Sequence, residues 1–322
     1  MAVYTEVSDE DLKAFAAAYA IGEIVSYKGI AEGVENSNYM LQAASGTFIL
    51  TLYERRVDPA DLPFFLGLME HLARAGVPSP IPLKGRDGQA LRTLCGRPAA
   101  IISFLSGMWP RRITVDHCAA LGTALAGLHR AGMSYALRRE NTLSVAGWRD
   151  LYGRTGTAAE TIEAGLGKMV AGELEALAKA WPAPGALPAG IIHADLFPDN
   201  VFFLDGKCSG LIDFYFACND FLAYDIAICL NAWCFEPEGA FNITKAHRLI
   251  SSYGAVRPLA PAEKSALPIL ARGAAMRFLL TRLYDSVNTP PGAMVKPKDP
   301  REYLKKLNFH RGVTDLSAYG LS

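Results

Sequence analysis

Ile191-Ile-His193-Ala-Asp195-Leu-Phe-Pro-Asp199-Asn200-Val-Phe-Phe-Leu-Asp205-Gly206-Lys-Cys-Ser-Gly-Leu-Ile-Asp213-Phe214 is the stretch on which the rest of the chain turns. Residues 201–204 and 210–212 are apolar runs on either side of Asp205-Gly206, a dipeptide suited to the positive φ angles of a tight hairpin turn. One end of the predicted hairpin carries His193, Asp195 and Asn200, and its second strand finishes at Asp213. Two carboxylates and an amide are therefore expected together at one end of a rigid ribbon. Transfer of a phosphoryl group from ATP needs this set: one Asp to accept the proton of the attacking hydroxyl, and an Asn with a second Asp to hold Mg2+ against the phosphates. Magnesium takes few, hard oxygen ligands and keeps several waters, so an amide and a carboxylate suffice. Each residue alone has an ordinary reading as a turn Asp, a capping Asn or a strand-end charge. The ordered set, with Asp-Phe following Asn200 across a hairpin, is a compound signal.

At 322 residues, 51% of them hydrophobic, the chain has enough material for a large core and for two lobes. No apolar run reaches the roughly eighteen residues that span a bilayer. The opening Met-Ala-Val-Tyr-Thr-Glu lacks a basic flank, and residues 14–21 are too short and Ala-rich for a signal peptide. No membrane partner is expected. Lys and Arg number 32, as do Asp and Glu, so the basic excess that nucleic-acid binding needs is missing. The six cysteines, Cys95, Cys118, Cys208, Cys218, Cys229 and Cys234, include no Cys-x-x-Cys pair and read as buried, reduced thiols of a cytoplasmic protein rather than zinc ligands.

Taken in order, Ser8 is the expected N-cap of a short helix with an acidic first turn. A strand over 23–28, the loop Gly29-Ile-Ala-Glu-Gly33-Val-Glu-Asn36-Ser37-Asn38 and an alternating strand over 39–43 can fold over a triphosphate. Glycines let the backbone approach, and its amides face the phosphate oxygens. Alone, this loop reads equally well as an ordinary hairpin; Gly29, Gly33, Asn36, Ser37 and Asn38 are its candidate cofactor contacts. A third strand covers 47–53. Asp58-Pro59 caps a helix whose stripe is Leu62, Phe65, Leu66, Met69 and Leu72, ending at Gly76 and Pro78. Strands over 90–94 and 98–105 follow, with the backbone of Ser103, Phe104 and Leu105 expected at the adenine edge.

The pattern is β-rich up to residue 105 and helical beyond it. Residues 1–105 form the expected nucleotide-binding lobe, and 106–322 a helical lobe with the catalytic loop and acceptor site. A helix over 115–130 presents Leu121, Leu125 and Leu128 on one face, and His129 near its end reads as structural. Residues 138–190 hold one convincing helix, over 172–181. Asp225 opens an apolar helix, Asp220 is a candidate acceptor contact, and Trp233 is a candidate lining residue of the same cleft. Glu70 reads as a solvated surface residue. The helix over 262–285 carries Arg272, Arg277 and Arg282. An arginine among apolar residues can clamp a carboxylate bidentately, which makes Arg277 and Arg282 substrate-binding candidates.

The motif at 193–213 resembles that of the aminoglycoside phosphotransferase/choline kinase superfamily, whose members look like protein kinases with small-molecule acceptors. The resemblance implies an α+β, protein-kinase-like two-lobed fold, with a small β-rich N-lobe and a larger, mainly helical C-lobe. It implies ATP and Mg2+ as cofactors, Asp195 as catalytic base, and Asn200 and Asp213 as magnesium ligands. It further implies that Asp225 braces the catalytic loop by accepting its backbone N–H groups, with His193 in support. Two departures stand out. Ala194 replaces the usual glycine between His193 and Asp195, a small change that leaves the loop workable. Thr51 stands where the superfamily carries a phosphate-binding lysine. Lys28, Arg55 or Arg56 supplies that charge, magnesium carries more of it, or nucleotide binding is weakened; no phosphate lysine is assigned.

Aminoglycosides and choline are cations and call for acidic or aromatic pockets, yet only Glu236 and Glu238 lie between Asp225 and Glu263. Arginines in apolar surroundings with Asp220 suit a zwitterion. The stretches Gly33-Val-Glu-Asn-Ser-Asn-Tyr39, Pro63-Phe-Phe-Leu, Leu196-Phe-Pro-Asp-Asn200, Ala217-Cys-Asn-Asp220, Arg282-Leu-Tyr-Asp285 and Lys298-Asp-Pro300 are similar to the homoserine kinases of this superfamily, over nearly the whole chain. That likeness implies ATP-dependent phosphorylation of the side-chain hydroxyl of L-homoserine, a step toward threonine. A monomer or homodimer is expected. The alternatives are a kinase of the same fold acting on an aminoglycoside, choline or ethanolamine, and a nucleotide-binding pseudokinase, against which the intact Asp195, Asn200 and Asp213 argue.

Overall fold

The computed structural model describes residues 4–30, 36–54, 57–155, 157–289 and 297–321. The chain divides into two compact units, Met1–Gly107 with Ser209–Tyr215, and Met108–Cys208 with Phe216–Ser322.

In the first unit Ser8 accepts the Asp11 N–H at 3.1 Å and caps α1 (Asp9–Ala16). The strands β1 (Ile24–Gly29), β2 (Ser37–Ala43) and β3 (Gly46–Leu52) run antiparallel, and the chain then forms α2 (Leu62–Arg74), β4 (Arg92–Leu94) and β5 (Arg97–Ser103). The sheet order is β1-β2-β3-β5-β4. Period-two alternation along β2 buries Tyr39, Leu41 and Ala43, which join Leu50, Leu52, Ala99 and Ile101 and the Leu12 and Phe15 side of α1 in one core. Before α2, Asp58 accepts the Ala60 N–H at 2.9 Å and Pro59 starts a short 3-10 turn. The apolar stripe of α2 is buried as its spacing predicts, and Gly76 ends it at φ +82°.

The second unit is helical. After α3 (Val115–Gly132) come α4 (Val145–Thr155), α5 (Ala158–Ile162) and α6 (Leu166–Ala180). Where one helix over 172–181 is expected in this region, three form, and α6 starts six residues earlier. The strand β6 (Ala189–Ile192), the hairpin strands β7 (Val201–Leu204) and β8 (Lys207–Leu211, of which Ser209 onward counts with the first unit), and β9 (Cys218–Phe221) lead into α7 (Leu222–Trp233). The chain ends with α8 (Ile243–Val256), α9 (Pro261–Asn288) and α10 (Pro300–Arg311). Eleven of the twelve residues of α7 are buried, so it is a core helix, apolar nearly all round. Close approach of α3 and α8 is set by Gly122, where an added Cβ would lie 2.2 Å from the Leu249 carbonyl oxygen.

Ser209–Tyr215 departs from the single boundary expected near residue 105. The Leu211 N–H donates to the Pro78 carbonyl at 2.7 Å, and the Tyr215 ring packs edge-on against Phe65 and Tyr53, all within the first unit.

Candidate active site

In the second unit, β6 pairs antiparallel with β9, from Ala189 opposite Phe221 to Ile192 opposite Cys218. Past Ile192 the backbone leaves the ladder and its polar groups need other partners. Asp225, in the first turn of α7, accepts the His193 N–H at 2.7 Å on Oδ2 and the Ala194 N–H at 2.9 Å on Oδ1. The Asp195 N–H donates to His193 Nδ1 at 3.3 Å. The carbonyls are taken as well: Ala194 O by Arg277 Nη1 at 2.5 Å, Asp195 O by Asn200 Nδ2 at 2.8 Å, and Leu196 O by Trp233 Nε1 at 2.7 Å. Asn200 Nδ2 also lies 3.4 Å from Asp195 Oδ2. Four consecutive residues thus have their backbone held by side chains, with Asp195 half-buried among them.

Ala194 sits at φ +64°, the left-handed region where a Cβ costs about 1–2 kcal/mol. The two Asp225 oxygens and the Arg277 guanidinium hold it there. Burial pushes the Asp225 carboxyl up, but His129, His193 and the N–H groups it accepts outweigh burial and leave it below the ordinary aspartate range. His129 Nε2 lies 3.2 Å from Asp225 Oδ2, and its Nδ1 lies 2.8 Å from the Tyr253 hydroxyl. Arg257 donates to that hydroxyl at 3.0 Å, so the phenol proton goes to Nδ1 and the N–H of the ring faces Asp225. His129 is therefore structural, as read from the sequence. Asp225 does not open α7, which starts at Leu222. Trp233, expected to line a cleft, is fully buried and used on the loop from behind.

In the first unit, Asp213 follows β8 at φ +65°. Thr51, paired with Asn38 and Ala100 in the sheet, is buried and donates to Asn38 Oδ1 at 2.8 Å. Its neighbourhood is hydroxylic: Tyr215 and Tyr53 place their hydroxyls 3.3 Å apart, and burial pushes both phenols up. Lys28 is exposed on β1. Glu70 lies at the surface, 2.9 Å from Lys84 and against Arg74. Gly33, Arg55 and Arg56 lie outside the described residues.

At two of the expected nucleotide contacts the side chains are engaged within the protein. Asn36 is buried with its Oδ1 on the Glu54 N–H at 3.3 Å. Ser37, fully buried, donates to Glu54 Oε1 at 2.7 Å and accepts the N–H groups of Tyr4 and Thr5. Asn36 holds the backbone just after β3 and Ser37 ties the amino-terminal segment to the sheet, so both side chains are engaged and the backbone is left for a ligand at these positions. Gly29 ends β1 opposite Tyr39. Ser103 closes β5 with its N–H and Oγ both engaged by Ile81 at 2.9 Å, Phe104 is exposed and Leu105 half-buried just past the strand.

The acceptor candidates separate in the second unit. Asp220 lies on β9 opposite Gly190, half-buried, accepting from Asn141 Nδ2 at 2.6 Å and from the Phe221 N–H at 2.7 Å. Burial raises its carboxyl more than these bonds and Arg277 lower it. Arg277 is 1% exposed, lies over the Phe278 ring at 4.6 Å and donates from Nη1 to Ala194 O. Arg282 lies over the Tyr303 ring at 4.5 Å and uses Nη1 on Glu302 and the Asp299 carbonyl. Arg272 is paired with Glu173. Asn141 and the loop-holding parts of Arg277 and Trp233 carry no sequence signal beyond a polar or aromatic residue amid apolar neighbours. Cys118, Cys218, Cys229 and Cys234 are buried free thiols, and burial pushes Cys218 up to about 12.

Among the described residues no group of three or more His, Cys, Asp or Glu side chains is arranged to hold a metal ion. The donors in question here are an amide oxygen and a carboxylate, the hard-oxygen chemistry that Mg2+ accepts, and the Nδ2 bond of Asn200 fixes which edge of its amide carries the oxygen.

Residues 26–259 match the phosphotransferase enzyme family, and the chain belongs to it. Its fold is kinase-like, similar to an amicoumacin kinase in complex with AMP-PNP and Ca2+ (TM-score 0.71, 15% identity, 96% of this chain and 95% of that one) and to choline kinase from Cryptosporidium parvum (TM-score 0.68, 15% identity, 94% of each). Much greater likeness is found to the homoserine kinase of Paramagnetospirillum magneticum, 63% identical over the full length of both chains, and to that of Rhodospirillum rubrum, 62% identical over the full length of both.

Proposed function

We propose that this chain transfers the γ-phosphoryl group of ATP to the side-chain hydroxyl of L-homoserine. The observation that carries the reading is end-to-end likeness at 62–63% identity to two homoserine kinases. Phosphoryl transfer leaves the protein little covalent chemistry, so its contribution is positioning and charge. Asp195 accepts the proton of the attacking hydroxyl, and its loop is fixed beforehand by Asp225, His193 and Asn200. Asn200 and Asp213 hold the magnesium, which when bound neutralises phosphate oxygens. Gly29, Gly33 and the backbone from Asn36 to Asn38 lie along the triphosphate, and Ser103, Phe104 and Leu105 meet the adenine edge. Asp220 takes the acceptor's ammonium group. The guanidinium edge of Arg282 not spent on Glu302 takes its carboxylate, while Arg277 is withdrawn from that part.

Recognition of both ends of a zwitterion sets the test, because a substrate lacking one end leaves a desolvated charge unpaired. ADP release is followed with L-homoserine, L-serine, choline, ethanolamine and an aminoglycoside. L-Homoserine is expected to exceed every other acceptor in kcat/KM by about 100-fold or more. Preference for another acceptor, or nucleotide binding with no ADP from any of them, overturns the assignment.

A further inference from the structure

Two side chains in the second unit carry hydrogen bonds that the reaction as described does not call for. Arg277, from the middle of α9, is a charged group 1% exposed, and its Nη1 donates to Ala194 O at 2.5 Å. Trp233, the last residue of α7, is fully buried, and its Nε1 donates to Leu196 O at 2.7 Å. Those carbonyls belong to the residues immediately before and after Asp195. The first of them lies on Ala194, the non-glycine residue at φ +64°. A peptide group at positive φ returns readily to the extended region unless its carbonyl is held, and that return would swing the Asp195 side chain to a new direction.

We propose that Arg277 and Trp233 are positioning residues: buried donors that grip the backbone on both sides of Asp195 and so aim its carboxylate at the acceptor hydroxyl. This rests on Asp195 being the base. The sense of the two grips is complementary to that of Asp225. Asp225 fixes the loop by accepting its N–H groups, and Arg277 and Trp233 fix it by donating to its carbonyls, so the peptide units flanking the base are held from both poles. Arg277 suits its place because a planar guanidinium packs against aromatic rings, here those of Phe278 and Phe216 at 4.6 and 5.6 Å. Lysine at 277 would offer a point charge without that planar edge.

The test compares Trp233→Phe, Arg277→Lys, Ala194→Gly, Arg277→Lys with Ala194→Gly, and Asp195→Asn, measuring kcat, both KM values and thermal midpoint on full-length protein. Trp233→Phe keeps the ring in place and removes only the donor. It is expected to lower kcat per folded molecule at least fivefold, with KM for ATP and L-homoserine within twofold of wild type. Arg277→Lys is expected to lower kcat at least tenfold in the same way. Ala194→Gly is expected to help more in the Arg277→Lys background than in the wild-type background, by threefold or more, because glycine at 194 needs no carbonyl grip to stay at positive φ. Lower thermal midpoints with unchanged kcat, equal effects of Ala194→Gly in both backgrounds, or a rise confined to KM for L-homoserine overturns the proposal. Should Arg277→Lys yield no folded protein, an unchanged kcat in Trp233→Phe alone is enough to overturn it. Asp195→Asn keeps the two readings apart. If it retains turnover the base assignment fails; if it is dead while Trp233→Phe and Arg277→Lys turn over normally, only the positioning proposal fails.

Discussion

Replacing Asp225 by asparagine removes one charge and no volume, yet the structure makes it one of the most damaging single changes available. The two carboxylate oxygens of Asp225 accept N–H groups from His193 and Ala194 at 2.7 and 2.9 Å, and His129 adds a third donor at 3.2 Å, all with no exposure to water. An amide accepts on one side only, so Asp225→Asn turns an NH2 group toward a backbone N–H and leaves that donor unsatisfied. One lost charge-assisted bond and one buried orphan together cost about 3–5 kcal/mol. With an unfolding entropy near 2.1 cal/mol/K per residue over a unit of about 200 residues, each kcal/mol moves the midpoint about 2.4 °C, which gives a fall of about 7–12 °C. The pH dependence follows from the sign of the shift. Because the folded state holds the Asp225 carboxyl below its ordinary value, its contribution is fully present above about pH 4 and is lost as pH falls through the folded value. Differential scanning calorimetry of both proteins from pH 8 to pH 3 should show the gap in midpoint narrowing at the acid end. Kinetics at pH 7.5 should show kcat reduced by about 100-fold, since the base sits one residue from the loosened peptide. A variant with a midpoint within 1 °C of wild type and kcat within twofold would refute the reasoning.

Asp195→Asn should lower kcat by about 10³-fold while leaving nucleotide affinity within twofold, as read by a coupled ADP assay beside a fluorescent-nucleotide titration; near wild-type turnover removes the base assignment. Chelation with excess EDTA should abolish turnover, and Mg2+ added in excess should restore it, because the donors assigned to the ion are oxygens that bind it only with the phosphates' help; persistence of turnover in EDTA counts against the magnesium ligands. Gly122→Ala should lower stability by about 2–4 kcal/mol without touching the catalytic loop, because its Cβ would meet the Leu249 carbonyl at 2.2 Å; denaturant titration with an unchanged midpoint would show that α3 and α8 separate more easily than their packing indicates.

What could be read from the sequence depended on whether the signal was local. The α2 stripe, the β2 alternation and the Asp205-Gly206 turn are each settled within a few residues, and each takes the structure its spacing predicts, whereas Asp58-Pro59 caps a 3-10 turn and α2 starts only at Leu62. The strands β6 and β9 are four residues long and pair across a gap of more than twenty, so neither has a period to detect. The helix α8 carries a local signal as well, with buried Ala246, Leu249, Ile250 and Tyr253 at helical spacing behind the N-cap Asn242, although it is absent from the expectations above. In the candidate site, the loop donors Asp195 and Asn200 and the brace Asp225 were legible as a pattern. The direction in which a side chain points was not. Asn36 and Ser37 turned inward to Glu54, and Arg277 turned to a carbonyl rather than to solvent, because tertiary partners far along the chain decide both.

Tyr215 packs on Phe65 and Tyr53, and Leu211 donates to Pro78, although more than a hundred residues separate each pair in the chain. During synthesis, residues up to Gly107 leave the ribosome with those places still empty, and the amino-terminal unit cannot be completed until Tyr215 has been translated and has cleared the exit tunnel. A messenger truncated after codon 107 therefore encodes an unfinished object, and its nascent chain has to wait, exposed, while the intervening hundred residues are made.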